Sequence, residues 1–299
     1  MLIRVLGTAA GGGVPQWNCG CAVCTNARSG DTVTPRTQDC IAVECGGSWV
    51  LVNASPDLRQ QLLSRDLSPA LGTRNSQIKE LVLTDAELDH VAGLLLLREA
   101  TGLRVLGTPA VLGALGNGFG LQGTLGAYTS VEWVPVAVGE SVRVCGGQLE
   151  LEVIGLGQKR PRYALPSGEA DGGAWVTALR LHEVGDPRGV LYAPCVAEWS
   201  DRLADLCASC TSVILDGTFW TDDELARQGL SRRTAREMGH LPISDPGGSL
   251  EALRPLSAVR RIYTHMNNTN PVLDPSSPER AVLDKARIEV GTDGMVVVP

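Results

Sequence analysis

The stretch LVLTDAELDHVAGLLLLRE spans residues 81–99 and joins a strand pattern to a helix pattern through a cluster of ionisable side chains. Residues 81–83 are apolar and predict a buried strand, whereas the apolar run at 91–97 predicts a helix. Residues 84–90 between them hold three carboxylates and one imidazole. A strand that delivers such a cluster to a helix start favours a cation site. The alternative is a polar helix cap, because acidic side chains complement the dipole at a helix N-terminus.

The spacing of this cluster resembles the H-x-H-x-D-H motif of the metallo-β-lactamase superfamily. Asp85 and Glu87 stand where that motif has its first two histidines, whereas Asp89 and His90 match its second half. The resemblance implies that one site of the usual two-metal centre is altered and that the other is retained. The bridging aspartate of two-metal relatives is also missing, since residues 192–195 read YAPC and proline cannot bind a metal.

Length, charge and hydrophobic pattern restrict the class of protein. The superfamily fold would use nearly all of the 299 residues, so we predict one domain spanning residues 1–299. The net charge of -7 argues against a nucleic-acid partner, which would need clustered basic residues. No apolar run reaches the roughly 18 to 20 residues of a membrane span, and the glycine-rich start lacks the apolar core of a signal peptide. We therefore expect a soluble, cytoplasmic protein, and the sequence leaves its oligomeric state open.

Three of the nine cysteines form a C-x-C-x-x-C motif at Cys19, Cys21 and Cys24. Three thiols this close cannot all pair as disulfides, but they can occupy three corners of a tetrahedral zinc site. We predict a structural zinc ion, with a redox cluster or inert thiols as the alternatives. The fourth ligand must come from elsewhere in the chain.

A more specific resemblance rests on three strings in order, AAGGGVPQWNCGC at residues 9–21, RTQDCIAV at 36–43 and SPDLRQQL at 55–62. Together with the central and C-terminal motifs, they resemble the family of coenzyme PQQ biosynthesis protein B from end to end. The resemblance implies an α/β fold, the metallo-β-lactamase-like αββα four-layer sandwich. Strand-rich halves and the absence of GxGxxG after a strand also favour this fold over a doubly wound sheet.

Glycine-containing turns between β-rich runs predict three hairpins. They pair residues 39–44 with 49–52, 141–144 with 148–153, and 175–184 with 189–192. We also predict helices at 57–65, from about 196 to 210, and at 282–288, and a loop-broken helix or lid at 111–126. Strands are expected at 1–7, 212–216 and 295–298.

The C-terminal motif RIYTHMNNTNP at residues 261–271 places His265 after a strand and before a polar turn. This resembles the final metal ligand of the superfamily, so His265 should face Asp89 and His90. In zinc-binding relatives a histidine three residues further on completes the cysteine site, but this chain has Asn268 there. The sequence leaves the fourth ligand open among Asn268, Asn270, Asp274 and water.

Two further residues are candidates for the same centre. Asp216 ends a buried strand beside a glycine, which favours a metal ligand or a neighbour of one over a structural carboxylate. His240 lies in the string GHLPI at residues 239–243, where relatives place a proton-donating histidine above the reacting centre. Simple loop packing is the alternative for His240.

Two histidines with one or two carboxylates suit a non-haem Fe(II) centre that activates O2, and zinc is the alternative metal. The family resemblance implies a step in the synthesis of pyrroloquinoline quinone (PQQ), namely iron- and O2-dependent hydroxylation of a tyrosine-derived diamino acid. The alternatives are a carrier of PQQ or its precursor toward the periplasm and a metal-dependent hydrolase. Loss of the first metal site and of the bridging aspartate disfavours hydrolysis. Arg36 and Arg59 are candidate ligands for substrate carboxylates, with ordinary ion pairing as the alternative.

Overall fold

The computed structural model describes residues 1–63, 67, 76–164 and 174–299. In chain order the strands are β1 (Leu2–Gly7), β2 (Cys40–Cys45), β3 (Ser48–Val52), β4 (Ile78–Val82), β5 (Leu103–Gly107), β6 (Val131–Pro135), β7 (Ser141–Val144), β8 (Leu149–Gly157), β9 (Val176–Glu183), β10 (Val190–Ala193), β11 (Ser212–Asp216), β12 (Arg260–Thr264), β13 (Glu289–Val290) and β14 (Val296–Val297). The α-helices are α1 (Ala22–Ser29), α2 (Leu58–Leu63), α3 (Leu88–Val91), α4 (Pro109–Gly113), α5 (Leu121–Gly126), α6 (Asp201–Ser209), α7 (Glu224–Arg227), α8 (Ser249–Leu253) and α9 (Pro278–Ala286).

These strands form two seven-stranded mixed sheets. The first has the order β14-β1-β2-β3-β4-β5-β6, and the second has the order β13-β12-β11-β10-β9-β8-β7. In each sheet an antiparallel part adjoins a parallel part, which runs from β3 to β6 in the first sheet and from β10 to β13 in the second. The carboxyl ends of parallel strands share one edge of a sheet, where open α/β sheets bind their ligands.

Side chains on the central strands are buried on both faces, because successive residues of a strand point to opposite sides. Val50 and Val52 of β3 pack between the two sheets, whereas Leu51 packs against the outer layer that contains α2. On the other sheet, Ile214 faces the layer between the sheets and Leu215 faces the layer that contains α6, α8 and α9. The result is helix, sheet, sheet, helix, so the predicted αββα sandwich is confirmed.

The three predicted hairpins are confirmed as β2-β3, β7-β8 and β9-β10. The predicted helix after β4 differs, because α3 is followed by a 3₁₀ helix at Ala92–Leu97. The helix expected from about residue 196 begins only at Asp201, behind the cap of Ser200. The closing helix begins earlier than predicted, at Pro278, where Ser277 caps it. Residues 64 and 65 of the helix predicted at 57–65 lie outside the described residues.

Gly93 allows the 3₁₀ helix to lie directly on the loop that follows β3. Its amide donates to the carbonyl of Ala54, and a Cβ at this position would approach the Ser55 carbonyl oxygen to 2.1 Å. We expect Gly93→Ala to lower the free energy of unfolding by about 1–3 kcal/mol, because the atoms that the Cβ would meet are backbone atoms of Ala54 and Ser55, which resist displacement. Gly123→Ala in α5 is the control, since a Cβ there meets no atom within 4 Å. Urea denaturation measures both, and equal stability of the two variants would contradict the expectation.

Candidate metal centre

The polar segments predicted from the sequence meet at the carboxyl-end edge of the two sheets. The segment 84–90 follows β4, Cys195 follows β10, residues 216–218 end β11, and His265 follows β12. The four segments come from different parts of the chain, and parallel strands bring their ends together. The cluster therefore lies where an α/β fold places ligand-binding residues.

Asp89, His90 and His265 lie together, as predicted. Nε2 of His265 lies 3.3 Å from Oδ2 of Asp89, and the imidazole rings of His90 and His265 have centroids 5.1 Å apart. His90 is fully buried and His265 is almost so. Gly11 lies against the same carboxylate, since a Cβ at residue 11 would be 3.2 Å from Asp89 Oδ2. The glycine-rich N-terminal string thus allows the backbone to approach this centre closely.

Asp85, which replaces the first histidine of the superfamily motif, contacts the ring of His90. Oδ2 of Asp85 lies 2.7 Å from Nδ1 of His90, whereas Nε2 of His90 is buried without a hydrogen-bond partner. Burial opposes the charged imidazolium, but Asp85 and Asp89 raise the pKa of His90 to about 10. A buried nitrogen without a partner, surrounded by carboxylates, fits a cation. Metal-binding histidines likewise have their other ring nitrogen held by an oxygen.

A second hydrogen-bond network orients the other two histidines. Oδ2 of Asp216 lies 2.8 Å from Nδ1 of His240, and Thr218 Oγ1 lies 2.9 Å from Nδ1 of His265 and 3.1 Å from Nδ1 of His240. The hydroxyl of Thr218 also donates to Oδ1 of Asp216 at 2.6 Å. Because Nδ1 of each ring is engaged, Nε2 is the atom that remains for a ligand.

Asp216 contacts several donors with both of its oxygens. The amide of Val196 donates to Oδ2 at 2.8 Å, and the amide of Thr218 donates to Oδ1 at 2.9 Å. Burial acts to raise the pKa of Asp216, yet His240 and the hydrogen bonds lower it overall. One atom each from Asp216, His240 and His265 lie within 4.8 Å of one another, so these residues can also enclose a cation. The hydrogen bonds suit a carboxylate that positions His240.

His265 has a left-handed backbone conformation, with φ at 55°. A non-glycine residue in this conformation costs about 1–3 kcal/mol, which the surrounding structure must offset. Here the amide of Met266 after it donates to the Thr8 carbonyl, and Asn267 donates to Thr218. These contacts fix the turn that delivers the imidazole to Asp89.

Cys195 is a residue of the centre that the sequence interpretation missed. Its sulfur and one nitrogen each of His90 and His265 lie within 4.8 Å of one another. Burial raises the pKa of the Cys195 thiol well above its usual value, and Asp85, Asp216 and Asp89 raise it further. In the YAPC string, Pro194 stands in place of the bridging carboxylate, and the thiol one residue later is the signal for a further ligand.

A cavity of about 530 Å³ opens above these residues. Tyr163 and Phe219 contribute aromatic walls, and the tyrosine hydroxyl donates to the Ala86 carbonyl at 2.5 Å. Four basic side chains, which we call the basic rim, line the same cavity. They are Lys159, Arg160, Arg162 and Arg233. Glu87, Asp89 and Glu237 line the cavity as well, so the basic rim stands beside acidic groups.

The structure corrects the placement of the two predicted substrate arginines. Neither Arg36 nor Arg59 is among the described residues that line the cavity. The guanidinium of Arg36 is buried, and it donates to the hydroxyl of Thr8 and the carbonyl of Gly291. Arg59 is exposed on α2. Arg36 therefore joins the N-terminal and C-terminal segments through these hydrogen bonds, away from the described lining of the cavity.

The three cysteines of the C-x-C-x-x-C motif form a separate cluster, which we call the cysteine cluster. Their sulfurs lie within 4.8 Å of one another, and the Nδ2 atom of Asn268 lies 3.1 Å from Cys19, 3.3 Å from Cys24 and 3.7 Å from Cys21. Amide orientation is assigned from hydrogen bonding, so the oxygen of Asn268 occupies the same place when the amide is reversed. Three sulfurs and one amide fit the corners of a tetrahedral ion.

The other candidates for the fourth corner are engaged elsewhere. Asn270 donates to the Gly217 carbonyl and caps Val272, and Asp274 accepts from Ser276. Asn268 or water is therefore what remains for the cysteine cluster. Since Asn268 lies three residues after His265, the cysteine cluster fixes the turn that carries a residue of the metal centre.

Comparisons with known proteins agree with this fold. The model of the Beta-lactamase superfamily domain matches residues 48–266. Coenzyme PQQ synthesis protein B of Cupriavidus necator is 44% identical over 302 residues, which cover 99% of this chain and 98% of that protein. The protein of the same name from Pseudomonas fluorescens is 39% identical, with all of both chains covered.

Solved structures give the same result. The crystal structure of Zn²⁺-bound PqqB from Methylobacterium extorquens has a TM-score of 0.90 at 34% identity, and the comparison covers 100% of each chain. A diphosphatase of the PhnP family has a TM-score of 0.67 at 19% identity, which shows a common fold alone. Within the described part of the chain, no helix has the length and apolar character needed to cross a membrane. The chain belongs to the coenzyme PQQ synthesis protein B family of the β-lactamase superfamily.

Proposed function

We propose that this protein acts in the synthesis of PQQ as an iron- and O2-dependent hydroxylase of a tyrosine-derived diamino acid, in the cytoplasm and as a single domain. The observation that carries the proposal is the arrangement of two histidines and one carboxylate at the base of the cavity. Asp89, His90 and His265 provide two nitrogens and one oxygen. This set leaves coordination positions open, as in non-haem Fe(II) oxygenases, and such an ion supplies O2 activation.

The altered half of the motif supports a mononuclear centre. Asp85 hydrogen-bonds His90, and Glu87 lies 3.4 Å from the amine of Lys159. Both carboxylates thus have partners within the protein, which supports a role in holding neighbouring side chains and not in binding a second ion. Hydrolytic relatives depend on two ions to activate water, and this chain lacks the residues for that arrangement in the described segment 85–90.

The cysteine cluster is the proposed structural zinc site. The crystal structure of Zn²⁺-bound PqqB from Methylobacterium extorquens supports a zinc site in this family. The amides of Gln16, Cys21 and Cys24 lie 3.3–3.5 Å from the cluster's sulfurs, and such donors favour thiolates. We expect one zinc ion here and one iron ion at the metal centre.

The basic rim is the proposed recognition site for the carboxylates of the amino-acid substrate. We expect Arg162→Gln to raise KM about 10- to 150-fold with little change in kcat, because a charge-assisted hydrogen bond contributes about 1.5–3 kcal/mol. The matched control is Arg59→Gln, which removes an exposed arginine outside the described cavity lining. Steady-state kinetics at two salt concentrations measure the effect. An equal rise in KM for both variants would contradict rim recognition.

His240 is the proposed proton-transfer residue. Asp216 and Thr218 hold its Nδ1, so its Nε2 can exchange a proton with a substrate in the cavity. We expect His240→Ala to lower kcat about 10²–10⁴-fold while the metal content stays unchanged. Elemental analysis and single-turnover kinetics measure the two quantities. Loss of the active-site ion together with activity would instead make His240 a metal ligand.

The test of the proposed function uses protein purified without oxygen. Iron and zinc are counted per chain, and oxygen uptake is then followed on addition of the diamino acid. A two-electron reductant such as ascorbate is supplied, because one atom of O2 enters the product and the other must be reduced to water. Iron-dependent uptake with one hydroxylated product per O2 and one equivalent of reductant consumed supports the proposal. Tight binding without turnover would support a carrier instead, and metal-dependent cleavage of a phosphodiester would support a hydrolase.

A further inference from the structure

We infer that Cys195 binds the ion of the candidate metal centre through its sulfur, as a ligand additional to Asp89, His90 and His265. The inference rests on the proposed function for the presence of an ion at this centre, although not for the reaction. It adds a soft donor to a set that otherwise consists of nitrogen and oxygen. The donor comes from the loop after β10, which the proposed ligand set does not include.

The distances permit this assignment. A tetrahedral ion with metal–sulfur bonds of about 2.3 Å and metal–nitrogen bonds of about 2.0–2.1 Å holds its sulfur and nitrogen ligands about 3.5 Å apart. The sulfur of Cys195 lies within 4.8 Å of one nitrogen each of His90 and His265. A movement of about 1 Å brings the three atoms to one ion. Rotation of a cysteine side chain about a single bond supplies such a movement.

A second observation points to the same place. Nε2 of His90 is buried and has no hydrogen-bond partner, and an isolated buried polar nitrogen is costly to leave unsatisfied. Cys195, His90 and His265 all line the cavity. An ion at this point would satisfy the nitrogen and contact the thiol. A cysteine that binds no ion would explain why a sulfur lies here. It would not explain why Nε2 of His90 is buried without a partner.

The topology explains how a cysteine reaches the centre. Strands β10 and β11 are parallel neighbours, with Ala193 opposite Leu215. The residues that follow β10 therefore lie beside Asp216, the last residue of β11. Pro194 follows and Cys195 comes next, while the amide of Val196 is held by Asp216 at 2.8 Å. The strand end at Ala193 and the anchored amide of Val196 therefore hold Cys195 between two fixed points. The backbone thus fixes Cys195 next to the metal centre.

A thiolate ligand has a chemical consequence. Soft sulfur donors raise the affinity for zinc, and on iron they push electron density toward the metal, as cysteine does in haem enzymes. The centre would therefore differ from an iron site of histidines and carboxylate alone. Its metal preference would depend on one side chain, Cys195.

Cobalt(II) is the probe that tests the assignment, because a cobalt–thiolate bond gives a strong near-ultraviolet charge-transfer band that nitrogen and oxygen ligands do not give. The protein is prepared with zinc retained in the cysteine cluster and the metal centre emptied, and one equivalent of cobalt is added. We expect the band in the unmodified protein and its loss in Cys195→Ser, with at least about tenfold weaker cobalt binding. Cys210→Ser is the control, since it removes a buried cysteine at the opposite end of β11.

The outcomes separate this inference from the proposed function. Cobalt bound without the band, or an undiminished band in Cys195→Ser, overturns the sulfur ligand and leaves the hydroxylase proposal in place. Failure of the unmodified protein to bind cobalt overturns both. Oxygen uptake without hydroxylated product overturns the hydroxylase proposal. The cobalt spectrum then still decides whether Cys195 is a ligand.

A measurement on the unmodified protein covers the case in which Cys195→Ser fails to fold. Iodoacetamide is added with and without cobalt, and alkylation of each cysteine is mapped by mass spectrometry. We expect cobalt to slow alkylation of Cys195 about tenfold or more while leaving Cys210 unaffected, because a metal-bound thiolate is a poor nucleophile. Equal alkylation of Cys195 in both samples overturns the inference.

Discussion

The His90→Ala variant is expected to lose the active-site ion and all turnover. His90 supplies a buried nitrogen without a partner, and Asp85 fixes its ring through Nδ1. Changes to residues that only orient a ligand weaken metal binding about 10–100-fold, so removal of a ligand should weaken it at least as much. We expect elemental analysis to find the zinc of the cysteine cluster and no iron. Oxygen uptake with the diamino acid should fall to the background rate.

The control for this variant is the same substitution at His182. That histidine lies on β9 and contacts the Glu183 carbonyl, outside the described lining of the cavity. His182→Ala should retain iron, activity and stability. His90→Ala will also lose stability by about 1–3 kcal/mol, because the buried Asp85 carboxylate loses its imidazole partner and keeps only the Thr84 hydroxyl on that oxygen. Circular dichroism checks that it stays folded, and a folded His90→Ala protein that retains iron would contradict the assignment.

The sequence predicts the fold well where a local pattern carries the information. The first hairpin was readable because Gly46 and Gly47 adopt positive φ values of 59° and 79° between two β-rich runs. Helix α1 was missed, since its N-terminus is capped by the sulfur of Cys21, which accepts from the amide of Cys24. Common capping residues carry oxygen. A motif interpreted only as a zinc site thus also begins a helix.

The metal centre was predictable in part for a similar reason. Asp89, His90 and His265 each occur in a string with a recognisable spacing, and parallel strands bring the strings together. Cys195 and the basic rim lack such spacing, so only the folded chain reveals their position. Arg36 shows the opposite limit. Its string is recognisable, but its partners Thr8 and Gly291 are far away in the sequence, so its role cannot be predicted from neighbouring residues.

The Cys24→Ser variant is expected to lose the structural zinc and to unfold at a lower temperature. A ligand present at 1,000 times its Kd stabilises the folded state by about 4 kcal/mol, which for a chain of this length lowers Tm by about 6 °C when it is lost. The effect should reach the metal centre, because Asn268 touches the sulfurs of the cysteine cluster and lies three residues after His265. We therefore expect weaker iron binding as well.

A chelator separates zinc loss from the packing change that the substitution itself causes. The His90→Ala background is used, since it should hold zinc in the cysteine cluster alone. There, a chelator should lower Tm by about 6 °C, and Cys24→Ser should abolish that response. Cys210→Ser lowers stability through packing in a buried position, yet it should leave the chelator response intact. If Cys24→Ser still responds to the chelator and still contains zinc, then the three cysteines are not the zinc site, and contacts such as those with Thr8 and Thr218 hold the turn carrying His265 without it.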